Sequence, residues 1–190
     1  ILPADYYPRA TKYISEMITI IENLISKNHA YISSSGDVYF SIESFQKYGT
    51  LTNLKLDKLI QSKRVLSDEY SSDTIQDFAL WKAYKPSDGN VYWQSPWGKG
   101  RPGWHIECSA MAMNLLGNSI DIHCGGVDNK FPHHENEIAQ SECFSQSKFV
   151  NYWLHSDFLL VDGEKMSKSK GNFYTLKDII KKGMSVEEFR

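Results

Sequence analysis

The chain has 190 residues, 41% hydrophobic and 23% charged, which is enough for one good core or for one domain carrying a large insertion, and it has the balance of a soluble globular protein. Its 21 basic and 23 acidic residues leave a net charge of −2, so binding nucleic acid through overall positive charge is excluded and any such contact needs a local patch. Three cysteines, Cys108, Cys124 and Cys143, make no disulfide framework and point to a reducing, cytoplasmic setting, and no apolar run approaches a membrane span or a signal peptide.

The chain opens on Ile1-Leu2-Pro3 without a Met and closes in a charged, helical-looking stretch; it reads as a piece of a longer protein. Residues 9–28 predict a helix, because Ala10, Tyr13, Ile14, Met17, Ile18, Ile21, Leu24 and Ile25 recur at spacings of three and four, and Asn28 can end it. Ala30-Tyr31-Ile32, the turn at 33–36 and the run at 37–42 predict a hairpin. Short helices are expected at 43–48 and 55–61, and a polar loop at 62–76. Residues 78–83 fit strand or helix. Pro86, Gly89, Pro96, Gly98, Gly100, Pro102 and Gly103 crowd the stretch 85–103 and predict a linker or a wrapping loop.

After this point the pattern changes. A helix is expected at 106–116, with Ile106, Ala110, Met113 and Leu116 on one stripe, then a buried strand at 119–124. A helix follows from Pro132, a residue suited to a first helical turn, to about Phe144. A further strand is expected at 149–154, a turn at Asp162-Gly163, and helix again from about Leu176. Helix, strand, loop, helix and strand in this order predict βα units and a mostly parallel sheet, hence an α/β fold.

Three stretches can carry chemistry. His133 and Glu137 stand four apart and share a helix face, and with the thiolate of Cys108 they make a donor set that suits zinc. The same spacing also fits an ordinary amphipathic helix with a surface histidine. His123, Gly125, Gly126 and Asp128 fall where ligands bind beyond the carboxyl ends of parallel strands, glycines admitting a ligand to the backbone and an aspartate meeting a ribose hydroxyl. Two glycines in a loop equally mark a tight turn. Lys165-Met166-Ser167-Lys168-Ser169-Lys170 offers mobile cations to a polyphosphate, and also fits a solvated loop.

Lys165-Met166-Ser167-Lys168-Ser169 is, letter for letter, the KMSKS sequence of class I aminoacyl-tRNA synthetases. Residues 103–111 (GWHIECSAM) and 131–141 (FPHHENEIAQS) resemble the cysteinyl-tRNA synthetase family in particular, as do Pro8-Arg9-Ala10-Thr11 and residues 36–40. The resemblance covers nearly the whole chain. It implies residues 1–100 as a connective insertion of α+β type and residues 101–190 as the second half of a Rossmann-like, parallel-sheet nucleotide-binding domain.

By the same resemblance Cys108, His133 and Glu137 match three of four zinc ligands, the fourth being an upstream cysteine absent here, as is the family's HIGH motif. Trp104 matches a residue lining the cysteine pocket. His123, Gly125, Gly126 and Asp128 match the segment near adenosine and ribose, with Cys124 replacing a glycine of the family's HGGG. Lys168, supported by Lys165, matches the lysine that steadies the phosphates. The implied activity is formation of cysteinyl-adenylate from L-cysteine and ATP with magnesium, then transfer to the 3′ end of cysteine tRNA, in a protein compatible with a monomer. Zinc separates cysteine from serine because it binds a thiolate strongly and an alcohol poorly, where a pocket built on shape discriminates weakly. Two alternatives share the motifs: a cysteine–glucosaminyl-inositol ligase, which uses the same zinc and adenylate chemistry without tRNA, and a non-catalytic synthetase-like module that binds metal or RNA. His134 and Glu135 are expected to face away from His133, as outer partners of the site or as surface residues, and Cys143 to be a small buried hydrophobe.

Overall fold

The structure, a computed structural model, describes residues 2–53 and 77–189. The helix expected at 55–61 and the loop at 62–76 lie outside the described residues. Helix α1 (Ile14–Ser26) buries Met17, Ile20, Ile21 and Leu24, the stripe that the periodicity marks. It is shorter than the predicted 9–28, because Ala10–Lys12 forms a separate 3-10 turn and Tyr13 breaks the helical path at φ −118°. Asn28 ends it in the left-handed conformation, φ 60°, while the His29 N–H donates to the Leu24 carbonyl at 2.8 Å and the Asn28 N–H to Ile25 at 3.0 Å. These two bonds satisfy carbonyls that the last turn leaves open.

A four-stranded antiparallel sheet follows, in the order β1 (Ala30–Ile32), β2 (Val38–Phe40), β3 (Phe78–Ala83), β4 (Gly100–Pro102). The stretch that fitted strand or helix is therefore strand β3, paired on both edges and buried from Phe78 to Trp81. Burial on both faces explains why it lacks the alternation that would have marked it. The breaker-rich stretch 85–103 is not wholly linker. Its end is β4, an edge strand with Trp81 opposite Pro102, and its glycines serve close approach: a Cβ on Gly100 would sit 2.2 Å from the Lys82 carbonyl oxygen, and one on Gly103 2.0 Å from that of Ala79.

Helix α2 (Trp104–Leu116) leads to β5 (Ile120–Gly126), helix α3 (Glu135–Ser145) and β6 (Val150–Ser156). β5 and β6 run parallel, with Ile120 opposite Val150 and Gly126 opposite Ser156. A parallel strand–helix–strand unit is thus present, and these two strands are the parallel part of the fold among the described residues. β5 is not the buried strand that its apolar residues suggest: Ile120 is buried, but Ile122 is 55% exposed, as is Tyr152 of β6 at 68%. Leu116, expected on the buried stripe of α2, is exposed as well, at the helix's last turn. The regular α-helical bonding of α3 begins at Glu135, while the helical path expected from Pro132 is present ahead of it, Phe131 being the residue of 130–134 that departs from helical angles. Phe131 is held extended (φ −141°, ψ 133°), as a residue before proline prefers, and 130–134 form a wide turn ahead of the regular helix.

Hairpin β7 (Leu160–Val161) and β8 (Glu164–Lys165) turns through Asp162 and Gly163 at φ 52° and 80°, and helices α4 (Leu176–Lys181) and α5 (Val186–Phe189) close the chain. One hydrophobic cluster joins α1, β2, β3, α2, α3 and the start of β6. Among the described residues no helix is long and apolar enough to cross a membrane.

Candidate functional site

The site forms where the carboxyl end of β5, the 127–134 segment and the first turns of α2 and α3 meet. Cys108 is on the second turn of α2, and His133 and Glu137 flank the start of α3. Their donor atoms lie within 4.8 Å of one another, so the three residues picked out by spacing come together in space. His133 Nε2 is 3.0 Å from Glu137 Oε1. The other nitrogen of that ring, Nδ1, sits 2.8 Å from His105 Nδ1, and Gln140 holds the His105 carbonyl through Nε2 at 3.2 Å. His133 thus has both ring nitrogens engaged and its plane fixed, with His105 as the outer partner that a ligand imidazole requires. The indole of Trp104, 51% exposed, lies 4.6 Å from the His133 ring, centroid to centroid.

Electrostatics favours a cation here. Glu137 is 1% exposed, and its Oε2 has no hydrogen-bond partner among the described residues. A buried carboxylate with an unpaired oxygen is costly unless a positive charge meets it. Burial, and then the negative charges of Glu137 and Glu107, push the Cys108 thiol up to about 12; a divalent cation at the cluster reverses that balance and holds a thiolate. Burial first, then His133, pulls His105 down to about 3, so it is neutral at pH 7. The residues present therefore fit zinc: one sulfur, one imidazole and one carboxylate, converging, with one buried carboxylate oxygen left without a hydrogen-bond partner among the described residues.

Beside this cluster lies a ring stack. His123 Nε2 is 3.7 Å from Glu137 Oε1, and His123, His134 and Glu137 make a second group of converging donors. Trp153 packs on His123 at 4.6 Å and on His134 at 4.8 Å. His134 Nδ1 meets His155 Nε2 at 2.8 Å, and burial, then His123, His133 and His155, bring His134 down to about 3. Gly125 is more than a turn glycine: a Cβ there would lie 2.5 Å from His134 Cε1. One on Gly126 would meet Asp128 Oδ1 at 2.3 Å. A cavity of about 510 Å³ opens over Cys108, His123, Cys124, His133, His134 and Glu137.

Of the two alternatives for His134 and Glu135, outer partner or surface, His134 takes the first, buried beside the cluster, while Glu135 is buried without a contact to His133 among the described residues. Its carboxylate accepts from the Gly49 N–H at 3.0 Å, the Thr52 N–H at 2.8 Å and the Thr52 hydroxyl at 3.0 Å. No local pattern could announce partners so far away in sequence; the one signal was the run of polar residues, 133–137, on a helix that has to be buried. Cys143 is buried as expected, Cys124 is exposed, and all three cysteines are free.

Lys165 and Lys168 stay apart from the cluster. Both are exposed, and no hydrogen bond, ion pair or ring contact joins them to it among the described residues. Lys165 Nζ rests 3.3 Å from the centroid of Phe158 and Lys168 Nζ 5.4 Å from that of Phe173, while Lys170 pairs with Glu164 at 2.5 Å. The Ser167 N–H donates to Asn172 Oδ1 at 2.8 Å and shapes the loop.

A donor cluster at the end of a parallel strand–helix–strand unit, with the KMSKS sequence downstream, agrees with the class I tRNA synthetase catalytic domain that the sequence resembles. The family model described as tRNA synthetases class I (C) catalytic domain matches residues 1–190, and the chain belongs to that family. It is 61% identical over 191 aligned residues to the cysteine–tRNA ligase of Chlamydia felis, covering 100% of this chain and 40% of the relative. With the cysteine–tRNA ligase of Brachyspira hyodysenteriae it shares 61% identity over 189 residues, 98% of this chain and 40% of that protein. The chain thus spans about 40% of the length of these curated relatives.

Proposed function

We propose that the protein containing this chain activates L-cysteine with ATP and transfers it to cysteine tRNA in the cytoplasm, and that this chain supplies the thiol-recognition site and the phosphate-steadying loop. The observation that carries the reading is the buried Glu137, one oxygen unpaired, grouped with Cys108 and His133. Cys108, His133 and Glu137 would hold zinc together with a ligand from outside this chain. The ion, when bound, supplies a soft Lewis acid that prefers a thiolate to an alcohol and so separates cysteine from serine. His105 keeps the His133 ring in place, and Trp104 presents an open indole face to the amino acid. His123, Gly125, Gly126 and Asp128 lie at the carboxyl end of β5, where adenosine and ribose would dock. Lys168, with Lys165, would meet the phosphates of magnesium-bound ATP.

The substrates supply the reacting groups. The cysteine carboxylate attacks the α-phosphate, giving cysteinyl-adenylate and pyrophosphate, and a terminal ribose hydroxyl of the tRNA then attacks the activated carbonyl, releasing AMP. No protein nucleophile is needed, so positioning and charge stabilisation carry the rate. The parallel β5/β6 pair supports reading 101–190 as the second half of a Rossmann-like sheet, and the antiparallel sheet with α1 supports reading 1–100 as the connective insertion.

The test is cysteine-dependent ATP–pyrophosphate exchange by the complete protein, with serine as control and tRNA charging alongside. Exchange with cysteine alone, together with charging, is expected. Exchange without charging would replace this reading by the glucosaminyl-inositol ligase, and no exchange by zinc-loaded protein would leave a binding module.

A further inference from the structure

We infer that Glu135 couples the metal cluster to the turn at residues 48–52: it is a positioning residue, and zinc binding and docking of that turn strengthen one another. The inference rests on the zinc reading above. Glu135 is 0% exposed, and its two oxygens accept three hydrogen bonds from Gly49 and Thr52, residues 86 and 83 positions earlier in the chain. The next residue, Asn136, is equally buried and accepts from the Tyr48 hydroxyl. Two consecutive residues of the first turn of α3 thus grip one short segment.

No Lys, Arg or His forms an ion pair with Glu135 among the described residues. Its charge is met by these neutral donors and by the N-terminal end of α3, in whose first turn it lies. A carboxylate so buried cannot lose its donors without rehydrating, and rehydration means moving the turn of helix that carries it. That same turn carries Glu137, two residues on, while His133 lies two residues before. Residues two apart project from nearly opposite sides of a helix, so one side of this turn is bolted to 48–52 and the other faces Cys108 and His133. Free movement of the first side blurs the second. Any coupling of this kind is reciprocal: if the turn sharpens the metal site, the metal tightens the turn.

The experiment compares the complete wild-type protein with Glu135→Gln, which keeps the size but puts an amide nitrogen where an acceptor is needed. Zinc affinity is measured by competition with a chromophoric chelator, and exchange of the Gly49 and Thr52 amide protons with and without zinc. Wild type should bind one zinc, and zinc should slow exchange at both amides. Glu135→Gln should bind zinc about tenfold or more weakly, with most of the zinc-dependent protection lost. Thr52→Val, which removes the hydroxyl donor, should show a smaller loss, and Thr52→Ser should restore affinity. Val38→Ala, a core truncation that leaves every hydrogen bond of the clamp in place, should lower the Tm while the folded protein keeps its zinc affinity, so the loss in Glu135→Gln is not mere destabilisation. If Glu135→Gln binds zinc as tightly as wild type, with no zinc effect on exchange, the coupling is overturned and the zinc site stands. Wild-type protein that binds no zinc overturns both.

Discussion

At the scale of single residues, one buried carboxylate without a full set of donors says most about the site. Spacing alone brought out His133 and Glu137, because four residues make one helical face; Cys108 joined them through chemistry and resemblance, and the fold brings all three within 4.8 Å. Cys108→Ser should therefore weaken zinc and cysteine binding together, each by roughly tenfold or more, since an alcohol is a poor zinc ligand. Zinc content and cysteine affinity measured on the complete protein check this, and unchanged values would remove Cys108 from the ligand set. The clamp of Glu135 was illegible for the opposite reason: its partners are distant, and no local rule ties a glutamate to a turn so far upstream. A second buried acid makes a pH prediction. Asp77 accepts from the Ile42 N–H at 3.0 Å and from the Tyr31 hydroxyl at 2.8 Å, yet burial outweighs both and raises its carboxyl above 3.8. The fold thus favours the protonated form, and that contribution to stability is full below 3.8 and is lost as pH rises through the higher folded value. Asp77→Asn keeps an acceptor for Ile42 and carries no charge, so its Tm relative to wild type should rise from pH 3.5 to pH 7. A Tm difference that stays flat over that range would show that Asp77 carries no such penalty.

At the scale of elements, helices proved legible where apolar residues recur at spacings of three and four, most clearly in the one-sided α1, and their ends less so, because caps and 3-10 turns depend on one or two backbone angles. β4 was hidden by the glycines in it and just after it, Gly100 and Gly103. They read as breakers in sequence, but in the sheet they admit the neighbouring backbone, and Gly103→Ala should cost about 2 kcal/mol or more because the new Cβ meets a fixed carbonyl oxygen and not a movable side chain. Thermal unfolding checks it, and a Tm within a degree of wild type would mean that β4 can retreat from β3 at little cost. The β7–β8 hairpin and the loop after it carry the opposite signature, with Lys165 and Lys168 exposed and their ammonium groups over the local rings of Phe158 and Phe173. Lys168→Ala should leave stability and cysteine binding nearly unchanged while slowing adenylate formation roughly 100-fold. Pre-steady-state pyrophosphate release reads the step directly, and an unaltered rate would take Lys168 out of its assigned role.

At the scale of the molecule, the question is whether the two segments, 1–100 and 101–190, behave as one unit. The apolar cluster answers structurally: Met17, Ile21 and Leu24 of α1 belong to the same buried group as Phe40 and Phe78 of the antiparallel sheet and Ile106, Ala110, Ala139 and Phe149 of the parallel unit. The sequence marked a change of pattern near residue 100, and the strand types do change there, but periodicity within an element cannot tell which other element covers its face. Continuity of core implies shared stability. Ile21 is fully buried, and Ile21→Ala should cost about 2–5 kcal/mol through lost contacts and the cavity left behind. Were the segments independent, that loss would stay in α1 and the antiparallel sheet. With one core it has to reach α2 and α3, and with them the N-terminal halves that present Cys108 and Glu137 and the segment just ahead of α3 that presents His133. Hydrogen exchange followed peptide by peptide in the complete protein separates the cases. The slowest amides of α1, β3, α2 and α3 should speed up by a common factor, while those of the loop at 165–170, which lies outside the cluster, should not change. Acceleration confined to residues 14–40 would instead mean that the parallel unit holds the metal cluster together by itself, and that the coupling between segments runs only through Glu135.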